Sequence, residues 1–288
     1  MRTTLRTAAA VLGLLVPGAA MAQVANPLAQ AVGMGGNYTA LARGLGATAW
    51  NPAGLGMPDN PGASFAFLPF NATVGLSPIT PADLAEYDGE LIPRSARLEW
   101  LNAITEDGGE KGSVGADVTY LAMSIGRVGF SASSSVRGQV NMAPDVAEVF
   151  FFGNAGLTGD PGEYTLAGSS FDVAGTTTFA ASLALPVSLT LGPLPDQHFA
   201  VGATLKYTLG NFMMLGQENG SSLTSSPIAV DVQFPMVHTP LPDDSAEDQS
   251  VGDVLNNGSG YGLDVGAAWQ GGEHPALPCS ISYTKWLL

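Results

Sequence analysis

The sequence predicts an all-β chain: an antiparallel transmembrane β-barrel, complete or truncated, with a short N-terminal helical hatch. Three observations predict it. Charged residues make up only 12% of the 288 residues, while 45% are hydrophobic and 37 are glycine; a soluble domain carries about a quarter charged residues. After the leader, no segment reaches the roughly 18 consecutive apolar residues that a membrane helix needs. The later chain instead alternates apolar and polar residues with period two, the signature of barrel strands with one face to lipid. A membrane chain without apolar helices must close on itself, because an open sheet leaves backbone groups unpaired in lipid. The soluble alternative is a Gly-rich secreted β-sandwich.

Residues 1–22 read as a signal peptide. Arg2 and Arg6 supply the positive region, AAAVLGLLVPGAA the apolar region, and Ala20-Met21-Ala22 an A-x-A cleavage site. Residues 23–60 read as a hatch segment, and 61–288 as barrel strands. Within the hatch, Tyr38–Gly56 is Ala- and Gly-rich and weakly helical, and it breaks where Asn51 precedes Pro52.

The hatch carries a resemblance, in Gly33-Met34-Gly35-Gly36, Tyr38-Thr39-Ala40-Leu41-Ala42 and Trp50-Asn51-Pro52-Ala53-Gly54-Leu55. This pattern after a signal peptide resembles the N-terminal hatch of the FadL/OmpP1 superfamily of outer-membrane transporters and the related PorV/PorQ-like barrels. The acidic pair usual before the aromatic residue is replaced here by Arg43-Gly44-Leu45-Gly46. The resemblance implies an outer-membrane channel that takes up hydrophobic molecules such as long-chain fatty acids or other hydrocarbons. The alternative is a PorV-like barrel serving protein secretion or surface attachment, with a secreted partner. Asn51, Pro52, Ala53 and Gly54 are then the hatch or gating candidates; the plainer reading is an arm that only fills the lumen.

Ala63–Ser77 reads as the first strand, with Phe65, Phe67 and Val74 fitting a period-two pattern that Pro69 interrupts. Pro69 is a wall-kink candidate. It marks either a bulge without a role or, as the resemblance implies, a lateral exit towards lipid. Residues 80–107 read as a helical insertion: a first helix capped by Thr80, and a second over Ala96–Ile104 capped by Ser95. It is either a cap over neighbouring loops or, as the resemblance implies, part of a first hydrophobic binding surface. Gly112–Asn141 reads as a hairpin turning at Gly126-Arg127, with Val118, Tyr120, Ala122 and Ser124 alternating. Arg127 reads as a solvated turn residue, and Arg137 as facing lumen or interface water. Residues 145–170 read as a long loop whose Phe150, Phe151 and Phe152 form a hydrophobic landing surface or the loop's own core.

The next pair runs over Phe171–Leu191 and His198–Leu215. Phe179, Ala181, Leu183 and Leu185 share one face, as do Phe199, Val201, Ala203, Leu205, Tyr207 and Leu209. Lys206 then points into the lumen, where it can meet carboxylates or an anionic head group. Gln217–Ser226 reads as a loop and Pro227–Val237 as a strand. Residues 239–258 read as an acidic outer loop; their carboxylates match no EF-hand spacing. Tyr261–Trp269 and Ser280–Trp286 complete about eight strands, fewer than a hatch-bearing lumen requires, which favours a truncated barrel.

The net charge of −15 argues against a nucleic-acid partner. Cys279 is the single cysteine, so no internal disulfide forms. His198, His238 and His274 are isolated. The sequence holds no H-E-x-x-H, G-x-S-x-G or Walker motif, so neither catalysis, a metal nor a cofactor is expected. The expected partners are outer-membrane lipid and a hydrophobic small molecule.

Overall fold

The computed structural model describes residues 33–34, 37–159, 162–188, 196–225, 228–239 and 257–271. The predicted leader, most of the acidic loop and the strand at 280–286 lie outside them.

The segment predicted as a hatch, which keeps that label here, comes first. Helix α1 (Leu45–Trp50) ends at Asn51, whose backbone turns extended at φ −157° before Pro52. A 3-10 helix, Pro52–Gly56, follows at once. The Asn51 side chain caps it by accepting a hydrogen bond from the Ala53 N–H at 3.1 Å. Proline at the first helical position costs no donor that would have been used.

Strands β1 (Ala63–Phe67) and β2 (Phe70–Ser77) are one predicted strand broken at Leu68-Pro69. Leu68 takes a left-handed φ of 53°, an uncommon conformation for a branched residue. Both pieces pair with β3 (Glu110–Ile125), β1 with its second half and β2 with its first. The break faces a bulge at Tyr120 in β3. The Thr119 N–H still donates to the Pro69 carbonyl at 3.0 Å, so the strands stay joined across the kink.

The sheet continues through β4 (Val128–Met142). Past a short outlying strand β5 (Glu163–Thr165), it resumes in β6 (Ser170–Val187) and β7 (His198–Gln217). Strands β8 (Ser222–Ser225) and β9 (Ile228–Asp231) join β5 in a separate three-stranded sheet. Strand β10 (Met236–His238) and β11 (Ser259–Gln270) both pair with β7, at opposite ends of it. The main sheet of eight strands therefore occupies six lanes: β1 with β2, then β3, β4, β6, β7, and β11 with β10. Every pairing is antiparallel, so the first and last lanes run in opposite directions. No pairing joins these two edge lanes among the described residues.

Several expectations need correction. The second predicted helix begins at Arg94 with Pro93 as its N-cap, so Ser95 lies inside it and does not cap it. The loop predicted at Gln217–Ser226 contains strand β8. The loop predicted after residue 145 opens instead as a helix, called α4 below (Pro144–Phe152). The predicted strand at Pro227–Val237 is split between β9 and β10, consistent with Pro235 lacking a ladder donor. The bulge at Tyr120 shifts the faces of β3: Val118, Tyr120 and Leu121 point outward, while Ala122 and Ser124 point inward.

The two faces of the sheet differ in chemistry. Leu121, Ile125, Val128, Leu183, Leu185, Val201, Leu205, Leu263 and Val265 are exposed on the outer face. Asp117, Thr119, Ser124, Thr178, Ser182, Thr204, Lys206 and Asp264 are buried on the inner one. Water-facing sheets show the reverse. Leu45–Gly56 touches strands from all six lanes, so the sheet curls around the hatch.

One end of the sheet carries short turns; the other carries a helical cap. Helix α2 (Pro81–Ala85) has a capping box between Thr80 and Asp83, and the Thr80 hydroxyl holds the Asp83 carboxyl below its usual range. Helix α3 (Arg94–Asp107) ends at Gly108 in the left-handed region, φ 77°. Its Trp100, Leu101 and Ile104 pack against Ala147 of α4, with Phe151 and Phe152 around them. No described helix is long and apolar enough to cross a membrane.

Candidate functional site

The inner face and the hatch form one unit. Gly202 lies directly under the hatch backbone at Pro52-Ala53, and Gly266 under the side chains of Asn51 and Pro52. A Cβ on Gly202 would sit 2.5 Å from the Ala53 nitrogen, and one on Gly266 would strike the Asn51 side chain. Asn51 Nδ2 donates to the Ala267 carbonyl of β11 at 3.2 Å, while its Oδ1 caps the 3-10 helix. Ala53 and Met57 pack on Ala200 and Ala268, and Ala47 and Leu55 on Ala184. On the other flank, the Leu45 N–H donates to Ser64 Oγ at 2.8 Å, and Ser64 shares a hydrogen bond with Ser124 at 2.8 Å. Asn51, Pro52, Ala53 and Gly54, named from the sequence, are all buried here. Tyr38 and Trp50 meet edge to face, ring centroids 6.1 Å apart, and anchor the start of the hatch.

Beneath the hatch runs a polar ladder. Ser182 and Thr204 share a hydrogen bond at 2.7 Å, and Thr178 and Thr208 one at 3.0 Å. Lys206 Nζ lies 2.5 Å from Asp264 Oδ2, with both side chains buried. Arg137 Nη2 pairs with the buried Asp117 at 2.7 Å, so Arg137 does face inward. The sequence placed Lys206 and Arg137 on or near this face. It gave no signal for Asp117 or Asp264, whose partners lie on neighbouring strands.

A cavity of about 730 Å³ opens where the hatch leaves the sheet, at the short-turn end. Leu55, Met57, Val187 and Phe199 line it together with Arg127 and His198. A shallower groove of about 300 Å³ lies on the outer face near the cap, bounded by Val114, Val140, Phe171 and Val173.

The remaining candidates separate. Pro69 sits at the joined kink described above. Phe151 and Phe152 belong to the cap core, and Arg94 and Arg97 lie over the Phe152 ring at 5.2 and 5.3 Å. Phe150 alone of the three is largely free, at 80% exposed. Among the described residues no group of three metal-ligating side chains converges.

A curled antiparallel sheet, apolar outside and polar inside around a short helical segment, defines the class of architecture. By sequence, the chain belongs to the Family of unknown function (DUF5723), whose model matches residues 61–284. The match begins beyond the hatch and takes in every described strand. No curated protein and no solved structure matched the chain.

Proposed function

We propose that this chain forms wall and hatch of an outer-membrane channel for hydrophobic molecules such as long-chain fatty acids or other hydrocarbons. The inverted burial of the sheet carries this reading. A row of exposed Leu and Val outside, over buried Thr, Lys and Asp inside, is stable where the outer face meets hydrocarbon. The hatch then fills the polar interior and limits passage to what can move around it. Phe150 and Leu91 on the cap are exposed apolar groups able to receive an apolar molecule from outside. A ligand passes inward along the hatch and leaves at the cavity by the short turns.

The test is uptake of labelled oleate into proteoliposomes carrying the full chain, set against protein-free vesicles. Faster uptake with protein supports the channel. A secreted protein bound at the cap without any oleate uptake would favour secretion or surface attachment instead. A mature chain that folds as a monomer in detergent-free buffer overturns the membrane placement itself.

A further inference from the structure

We infer that the cavity at the short-turn end is an anion site for the head of an amphiphile, with Arg127 as its charged contact. The inference rests on the channel reading and names the ligand class of its inner exit. The other described cations are all engaged. Arg43 pairs with Asp59, Lys111 with Asp107, Arg137 with Asp117 and Lys206 with Asp264. Arg94 and Arg97 lie over Phe152 and donate to the carbonyls of Leu157 and Phe151. Among the described residues, only the Arg127 guanidinium has no carboxylate, carbonyl or ring partner. Arg127 is exposed on the turn, in a chain of net charge −15.

Its place is specific as well. Arg127 lines the cavity with His198, and among the described residues that line it there is no Asp or Glu. The remaining wall supplies Leu55, Met57, Val187 and Phe199. A guanidinium fork matches a carboxylate or phosphate oxygen pair, and an imidazole N–H adds a donor. The apolar residues beside them suit a hydrocarbon tail. The site therefore fits an anionic amphiphile, of which a fatty acid is the simplest, rather than a neutral hydrocarbon. Arg127 comes to the cavity because the two-residue turn after β3 places it there. Its backbone carbonyl is fixed by the Ala184 N–H of β6 at 3.0 Å.

The probes are a dodecanoic acid carrying a tail diazirine and the matching alcohol, cross-linked to the full chain in non-ionic detergent. Wild type is expected to be labelled by the acid on peptides containing Met57 or Phe199. Arg127→Gln is expected to lower that labelling about tenfold, the usual scale of one charge-assisted contact, without changing labelling by the alcohol. Arg127→Lys keeps most of it, since one point charge remains. Unchanged alcohol labelling also reports that the variant is folded. Equal acid labelling of wild type and Arg127→Gln overturns the anion site while leaving the channel intact. Absence of labelling by either probe anywhere on the wild-type chain overturns both.

Discussion

Lys206 and Asp264 face each other across β7 and β11, under the hatch and away from water. Desolvating two charges costs several kcal/mol, and their mutual attraction offsets it only while both are present. Asp264→Ala leaves an ammonium without its counter-charge. It should lower stability by about 3–5 kcal/mol, read as a shift in the denaturation midpoint. The double change Lys206→Met with Asp264→Leu removes both charges and should recover most of that loss. Arg137 and Asp117 form the weaker pair, because Arg137 remains 42% exposed and water screens it. An inward Lys206 was legible, since a strict period-two strand fixes which residues share its face. Its partner was not, because nothing in a single strand says which residue of the next strand lies diagonal to it.

At the scale of elements, the hatch is held by backbone proximity more than by side-chain bulk. Gly202→Val would push a branched side chain into the Pro52-Ala53 backbone and lift the 3-10 helix from the sheet. A maleimide probe on Ala53→Cys should then react readily, whereas it stays protected when valine replaces Ala203 on the outer face. Asn51-Pro52 announced this element in the sequence, because an extended residue before proline ends a helix wherever it occurs. Helix α4 was not announced. Its Val-Phe run favours a strand by local preference, and a helix this short draws its stability from packing, here against Trp100. The break at Pro69 was legible, but the answering bulge at Tyr120 was not, since an extra residue leaves the alternation of either half intact. That one residue puts Ala122 and Ser124 on the opposite face from Val118 and Tyr120, with which the alternation had grouped them.

For the whole molecule, the difference between the two faces of the sheet decides which medium it suits. Leu205 stands 59% exposed in the middle of the outer face. If that face meets hydrocarbon, Leu205→Arg should cost about 2–4 kcal/mol of folding free energy in lipid vesicles. If it meets water, the same change should be close to neutral. The alternation that produces these faces is why β6, β7 and β11 could be read with little error: two unlike surroundings enforce one repeat along the whole strand.

The opposed directions of the first and last lanes set a parity rule. Whatever strands come to lie between β11 and β1, from any source, must be even in number if every neighbour is to run counter to the next; an odd insert forces one like-directed pair into the ring.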